Sequence, residues 1–152
     1  MSGLINSAGS RSGVIGTTEL DYEEGTYTPV ATGSTADPTN ASGSTASYEK
    51  IGNLVHISGY FSTTYTDGSG SLRMSLPFTC SSLGEGYIPG TIQSYNFNWD
   101  EGFDSAAWVI RTAPNQSYAT FLASRDATTQ LTQTVDTDQA GNIRFSLTYR
   151  IA

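Results

Sequence analysis

Along residues 54–61 the chain alternates strictly, with Val55, Ile57, Gly59 and Phe61 on one face and Leu54, His56, Ser58 and Tyr60 on the other. Successive side chains of an extended chain point to opposite sides, so this segment predicts a β-strand with one apolar face. The Ile51-Gly52-Asn53 step before it tolerates positive φ, which predicts a tight reversal and folds residues 46–50 back as the second arm of a hairpin. The same alternation returns near the end of the chain in its most regular form. There Ile143, Phe145, Leu147, Tyr149 and Ile151 oppose Asn142, Arg144, Ser146, Thr148 and Arg150.

Weaker versions of this pattern fill the middle. Residues 71–76 alternate Leu72, Met74 and Leu76 against Ser71, Arg73 and Ser75, between an Asp67-Gly68-Ser69-Gly70 turn and Pro77. A buried face shared with the hairpin before it predicts a meander. Residues 91–99 carry Ile92, Tyr95, Phe97 and Trp99; residues 105–112 turn Ala106, Trp108 and Ile110 inward; residues 117–124 carry Tyr118, Phe121 and Leu122. A weak strand is expected within residues 130–135. Residues 26–32 are β-branched and aromatic, but Pro29 cannot donate to a ladder, which places this strand at an edge or starts it at the proline. Residues 33–47 read as a long polar loop. Short strands at near-regular spacing, with turn signals between them, predict an all-β fold: an antiparallel β-sandwich or jelly-roll-like domain over residues 26–152.

Composition sharpens this picture. A chain of 152 residues has room for one domain with its own core. Charged residues make up only 14%, Gly occurs 16 times and the only lysine is Lys50, a profile of turn-rich β structure and not of a helical bundle. The net charge of -7 repels a phosphate backbone and an anionic membrane surface, so no nucleic-acid partner is expected. The opening is small and polar, and no stretch approaches the roughly 20 apolar residues of a membrane span, so neither a secretory leader nor membrane insertion is expected. Cys80, the sole cysteine, reads as a packing thiol.

The candidate chemistry is sparse. His56 is the only histidine, and the chain has no cysteine pair and no nucleophile elbow. The acidic groups Glu19, Asp21, Glu23 and Glu24, then Asp100, Glu101 and Asp104, then Asp136 and Asp138, lack the spacing of a calcium loop or read as solvated turns. The expectation is a protein without a catalytic centre, metal site or other cofactor. Surface recognition remains. Aromatic residues beside few charges suit stacking on sugars or an apolar subunit interface, and Tyr95, Trp99, Phe103 and Trp108, which flank the acidic loop, are the candidate glycan-binding side chains.

Three blocks in order carry a resemblance: Gly9-Ser10-Arg11-Ser12-Gly13 running on through Asp21-Tyr22 into Tyr27-Thr28-Pro29; Tyr48, Lys50-Ile51-Gly52 and Val55; and Leu76-Pro77-Phe78-Thr79. Together they resemble a virion appendage module of tailed bacteriophages, found in short fibre, tail and head-decoration proteins of marine and cyanobacterial phages. The likeness covers the first half of the chain well and the second half only in general character. It implies a homotrimeric structural virion protein, made in the host cytoplasm, that docks on other virion proteins of the capsid, collar or tail and displays its β-domain outward. Residues 1–25 then form a docking arm and acidic connector. Leu4, Ile5, Arg11, Val14 and Ile15 are its expected contacts, ordered by lying against a partner; a disordered leader is the competing reading. The alternative role is a receptor-binding tip that reads host surface glycans.

Overall fold

The computed structural model describes residues 21–39, 44–62, 67–82, 87–97, 99, 107–124, 131–135 and 141–152. Among the described residues ten strands follow in chain order: β1 (Tyr22–Tyr27), β2 (Ala31–Gly33), β3 (Thr45–Ile51), β4 (Leu54–Ser62), β5 (Leu72–Ser75), β6 (Pro89–Tyr95), β7 (Ala107–Thr112), β8 (Tyr118–Ser124), β9 (Leu131–Thr132) and β10 (Asn142–Arg150). No helix occurs among the described residues. The expectation of an all-β, antiparallel fold holds. The arm residues Leu4, Ile5, Arg11, Val14 and Ile15 lie outside the described residues.

The strands form one hydrogen-bonded path, β1-β3-β4-β10-β6-β7-β8-β5-β2, with β9 added alongside β8. The path curls. Phe61 of β4 and Phe121 of β8 come from distant parts of it, yet their rings stack with centroids 5.7 Å apart and planes at 19°. The concave side thus closes on a single core in which Val55, Ile57, Phe61, Leu72, Met74, Ile110, Phe121, Ile143, Leu147 and Tyr149 are buried. The two halves of the curl meet at β6, whose residues Thr91 to Tyr95 pair with β10 while Pro89 and Gly90 pair with β7. A methyl group on Gly90 would stand 2.5 Å from the Ser146 carbonyl oxygen and 2.9 Å from Ile110 Cγ2, so glycine is what lets the strand change partners here.

The β3–β4 hairpin turns at Gly52, whose φ of 58° is the left-handed conformation expected there. The last strand is central, pairing with β4 along its whole length and with β6 over half of it. Two expectations are corrected. β5 does not continue a meander with β4; it lies between β8 and β2, because its apolar face, Leu72 and Met74, fits any partner that buries it. The expected division after residue 25 runs through a strand, since Tyr22–Tyr27 pairs residue for residue with β3. Its acidic side chains look like a connector in sequence but have partners across the ladder: Lys50 Nζ lies 3.1 Å from Asp21 Oδ1 and 3.8 Å from Glu23 Oε2, and the Tyr48 hydroxyl donates to Glu23 at 2.7 Å. Pro29 falls between β1 and β2, and β2 ends the path as an edge strand.

Two tyrosines with buried hydroxyls use them differently. Tyr149 donates to the Phe78 carbonyl at 3.1 Å and accepts from the Phe78 N–H at 3.3 Å, whereas the buried Tyr27 hydroxyl has no hydrogen-bond partner among the described residues. Tyr149→Phe should cost about 1–2 kcal/mol by stranding the Phe78 peptide groups, while Tyr27→Phe should be neutral or stabilising by about 1 kcal/mol. Urea midpoints decide this, and a clear loss for Tyr27→Phe would refute it. Burial raises the pKa of both phenols far above the usual tyrosine range. Both states keep neutral phenols below about pH 10; above it the unfolded chain releases protons that the folded chain retains, so stability falls as pH climbs. The Tyr27→Phe/Tyr149→Phe double variant should lose less stability between about pH 9 and 11 than the wild type.

Candidate functional site

The convex side of β1, β3, β4, β10 and β6 is built by the same alternation that fills the core. Pairing register lines up the outward residues in rows that cross the strands. One row is Thr26, Ser47, Ser58, Ser146 and Thr91, a small hydroxyl residue on each of five adjacent strands. On one side of it run Glu24, Glu49, His56 and Thr148; on the other, Thr45, Tyr60, Arg144 and Gln93. Short side chains between taller ones leave a trough. Its volume is about 430 Å³, and Thr26, Thr45, Ser47, Ser58, Tyr60 and Arg144 are among its lining residues.

The trough leads to a smaller cavity of about 220 Å³, lined by Tyr60, Gln93, Ser94, Tyr95, Asn142 and Arg144. Tyr60 and Arg144 belong to both depressions and stand where they join. The Tyr60 hydroxyl donates to Asn142 Oδ1, which ties both side chains together; among the described residues the Asn142 amide donors have no partner. Behind the cavity, Trp99 Nε1 donates to Ser94 Oγ at 3.2 Å.

Charge is divided across the trough. On the β1 side the hydrogen bond from Tyr22 to the Glu24 carboxylate raises the Tyr22 pKa; on the inward face of the same strands the bond from Tyr48 to Glu23 does the same for Tyr48. His56 Nδ1 lies 2.9 Å from Thr148 Oγ1 within the outer face. Among the described residues no cluster of His, Cys, Asp and Glu side chains is arranged to hold a metal ion, and no helix is long and apolar enough to cross a membrane. Cys80 is buried as a free thiol, and burial raises its pKa.

The sequence candidates fare unequally. Tyr95 lies in the cavity wall and is 69% exposed. Trp99 and Trp108 come together, but on each other: their rings stack with centroids 4.2 Å apart at 16°, Phe97 packs 4.2 Å from Trp99, and both tryptophans are half-buried. The stacked faces are therefore unavailable to a ligand. Phe103 lies outside the described residues, as do Asp100, Glu101 and Asp104. Sequence reasoning missed Tyr60, Gln93, Asn142 and Arg144. Their signal is the polar phase of β4, β6 and β10, which becomes a site only once the register between those strands is known.

The tryptophan pair should act as a structural unit. Trp99→Ala and Trp108→Ala should each cost about 1–3 kcal/mol, less than a fully buried aromatic, with a coupling of about 0.5–1.5 kcal/mol in a double-mutant cycle. Urea unfolding together with near-ultraviolet circular dichroism measures both; additive effects with an unchanged aromatic spectrum would contradict the stack.

No protein-family model matches the chain, and no curated protein sequence matches it significantly. Its fold is similar to that of the Dettilon tailspike protein (gp208), known from a crystal structure, with a TM-score of 0.54 and 15% identity over 83% of this chain. The chain spans 23% of the length of that protein. At this identity the likeness is one of fold: an antiparallel, curled β-architecture that also occurs within a phage tail appendage.

Proposed function

We propose that this chain is a non-enzymatic subunit of a tailed-phage particle, a short fibre or decoration subunit of the virion that presents its curled sheet to the host surface. The observation that carries the reading is the convex face. Five adjacent strands carry it, its trough is lined mainly by outward polar side chains, and tyrosine rings, amides and hydroxyls converge on one end of it. The fold likeness to a tailspike and the sequence resemblance to phage appendage modules support the same assignment.

In this reading the subunit forms a homotrimer, which multiplies weak single-site contacts into firm attachment. The arm containing Leu4, Ile5, Arg11, Val14 and Ile15 docks on capsid, collar or tail proteins, and the domain is a β-sandwich, a reading that the stacking of Phe61 on Phe121 supports. Of the two roles for the exposed face, display alone or recognition of host glycans, the cavity favours recognition. Tyr60 and Tyr95 offer rings to sugar faces, and Gln93 and Asn142 offer amides to hydroxyls.

Deleting residues 1–16 in the phage that encodes this chain should leave a folded β-domain that no longer joins particles. Quantitative immunoblotting of purified virions measures the outcome, and incorporation at the wild-type level would rule out docking by the arm.

A further inference from the structure

We infer that the cavity at the Tyr60 and Arg144 end of the trough binds a carboxylate-bearing sugar unit, with the Arg144 guanidinium as the partner of the carboxylate. The inference rests on the recognition reading above and names the class of saccharide. Arg144 is exposed, and among the described residues it makes no side-chain hydrogen bond or ion pair. An exposed arginine alone would signify only solvation. What gives this one meaning is its position in the walls of both depressions, beside groups whose bonding capacity is also unspent. Gln93 and Tyr95 make no side-chain hydrogen bond among the described residues, and Asn142 is engaged through its carbonyl oxygen only.

Among the described residues the lining is rich in donors and contains no carboxylate. Guanidinium, amide and phenol groups face the cavity, while Glu24 and Glu49 stand beyond the hydroxyl row on the far side of the trough. A planar guanidinium matches a carboxylate with two parallel hydrogen bonds. Among the described residues the cavity wall holds one cation, Arg144, which in a chain of net charge -7 suits a monoanion better than the dianion of a phosphate monoester. At about 220 Å³ the cavity is smaller than the roughly 300 to 1,000 Å³ of sites for larger ligands, and so takes about one ring. The adjoining trough, floored by Thr26, Ser47 and Ser58, receives the neighbouring units of a chain. The ligand is thus an acidic polysaccharide, with a uronic acid or similar unit at Arg144.

The test uses the full chain labelled with nitrogen-15, titrated at fixed ionic strength with sodium glucuronate and separately with glucose. Side-chain amide signals of Gln93 and Asn142 should shift with glucuronate at millimolar concentrations, the range for roughly 4 kcal/mol of binding energy. Glucose should act at least about tenfold more weakly, a difference of about 1.4 kcal/mol. Arg144→Gln should abolish the preference, and Arg144→Lys should restore it only in part because it keeps charge but loses the planar fork. An unperturbed backbone spectrum shows that each variant is folded. Equal responses to the two sugars, or a preference that survives Arg144→Gln, overturns the inference. A parallel screen of neutral and acidic bacterial polysaccharides separates the two levels of the argument. Binding without preference for acidic members removes the carboxylate site and leaves glycan recognition standing, whereas no binding to any member removes both.

Discussion

Strand β10 carries the constraint on which the remaining structure depends: its nine residues must keep their two faces in phase with β4 over their whole length. A slip of one residue would drive Arg144 and Arg150 toward the core and expose Ile143, Phe145, Leu147 and Tyr149. Burying either guanidinium without a partner costs several kcal/mol, and the lost apolar burial adds about 1.5–3 kcal/mol for each large side chain. The register is therefore strongly determined. Because β6 pairs with the other side of β10, the same phase sets which of its residues face outward. One alternation thus decides both the core and the order of the rows across the convex face.

This alternation is also what the sequence displays most openly. The hairpin around Gly52 and the strand Asn142–Arg150 were legible because each is long, strictly periodic and bounded by turn residues. The order of strands in the sheet was not. β4 and β10 are far apart along the chain, yet they form the longest pairing in the sheet, and an apolar face such as that of Leu72 and Met74 is compatible with several neighbours. β1 was hidden for a different reason. Its inward residue Glu23 interacts with Lys50 and Tyr48, so a strand appears in sequence as an acidic connector until its partners are known.

Of the residues that line the candidate cavity, only Tyr95 stood out in the sequence. Aromatic residues serve cores and surfaces equally well, and periodicity does not separate Tyr95, which is exposed, from Trp99 and Trp108, which stack on each other beyond the end of β6 and in β7. The polar residues of the cavity are harder still to see. Tyr60, Gln93 and Arg144 come from three strands and become neighbours only through two ladders that join distant segments. Their shared property, outward phase, is common to about half the residues of any two-faced strand. A convergence of this kind is a property of the register and of no single segment.

The arrangement of charge on the convex face has its own physical logic. Glu24 and Glu49 are directly opposed across β1 and β3, a like-charge pair that ordinarily costs about 0.2–1 kcal/mol in a sheet. The hydrogen bond from Tyr22 to Glu24 anchors one of these carboxylates on the outer face. The β1 end of the trough consequently repels an anion, while the Arg144 end attracts one. Between them the row of small hydroxyls carries no formal charge, so it offers polar contacts without deciding direction. An anionic chain lying in the trough therefore has one preferred polarity, with its carboxylate toward β6 and β10. That preference comes from two rows of side chains outside the core, so changing them alters what the face accepts while the inward residues continue to hold the fold.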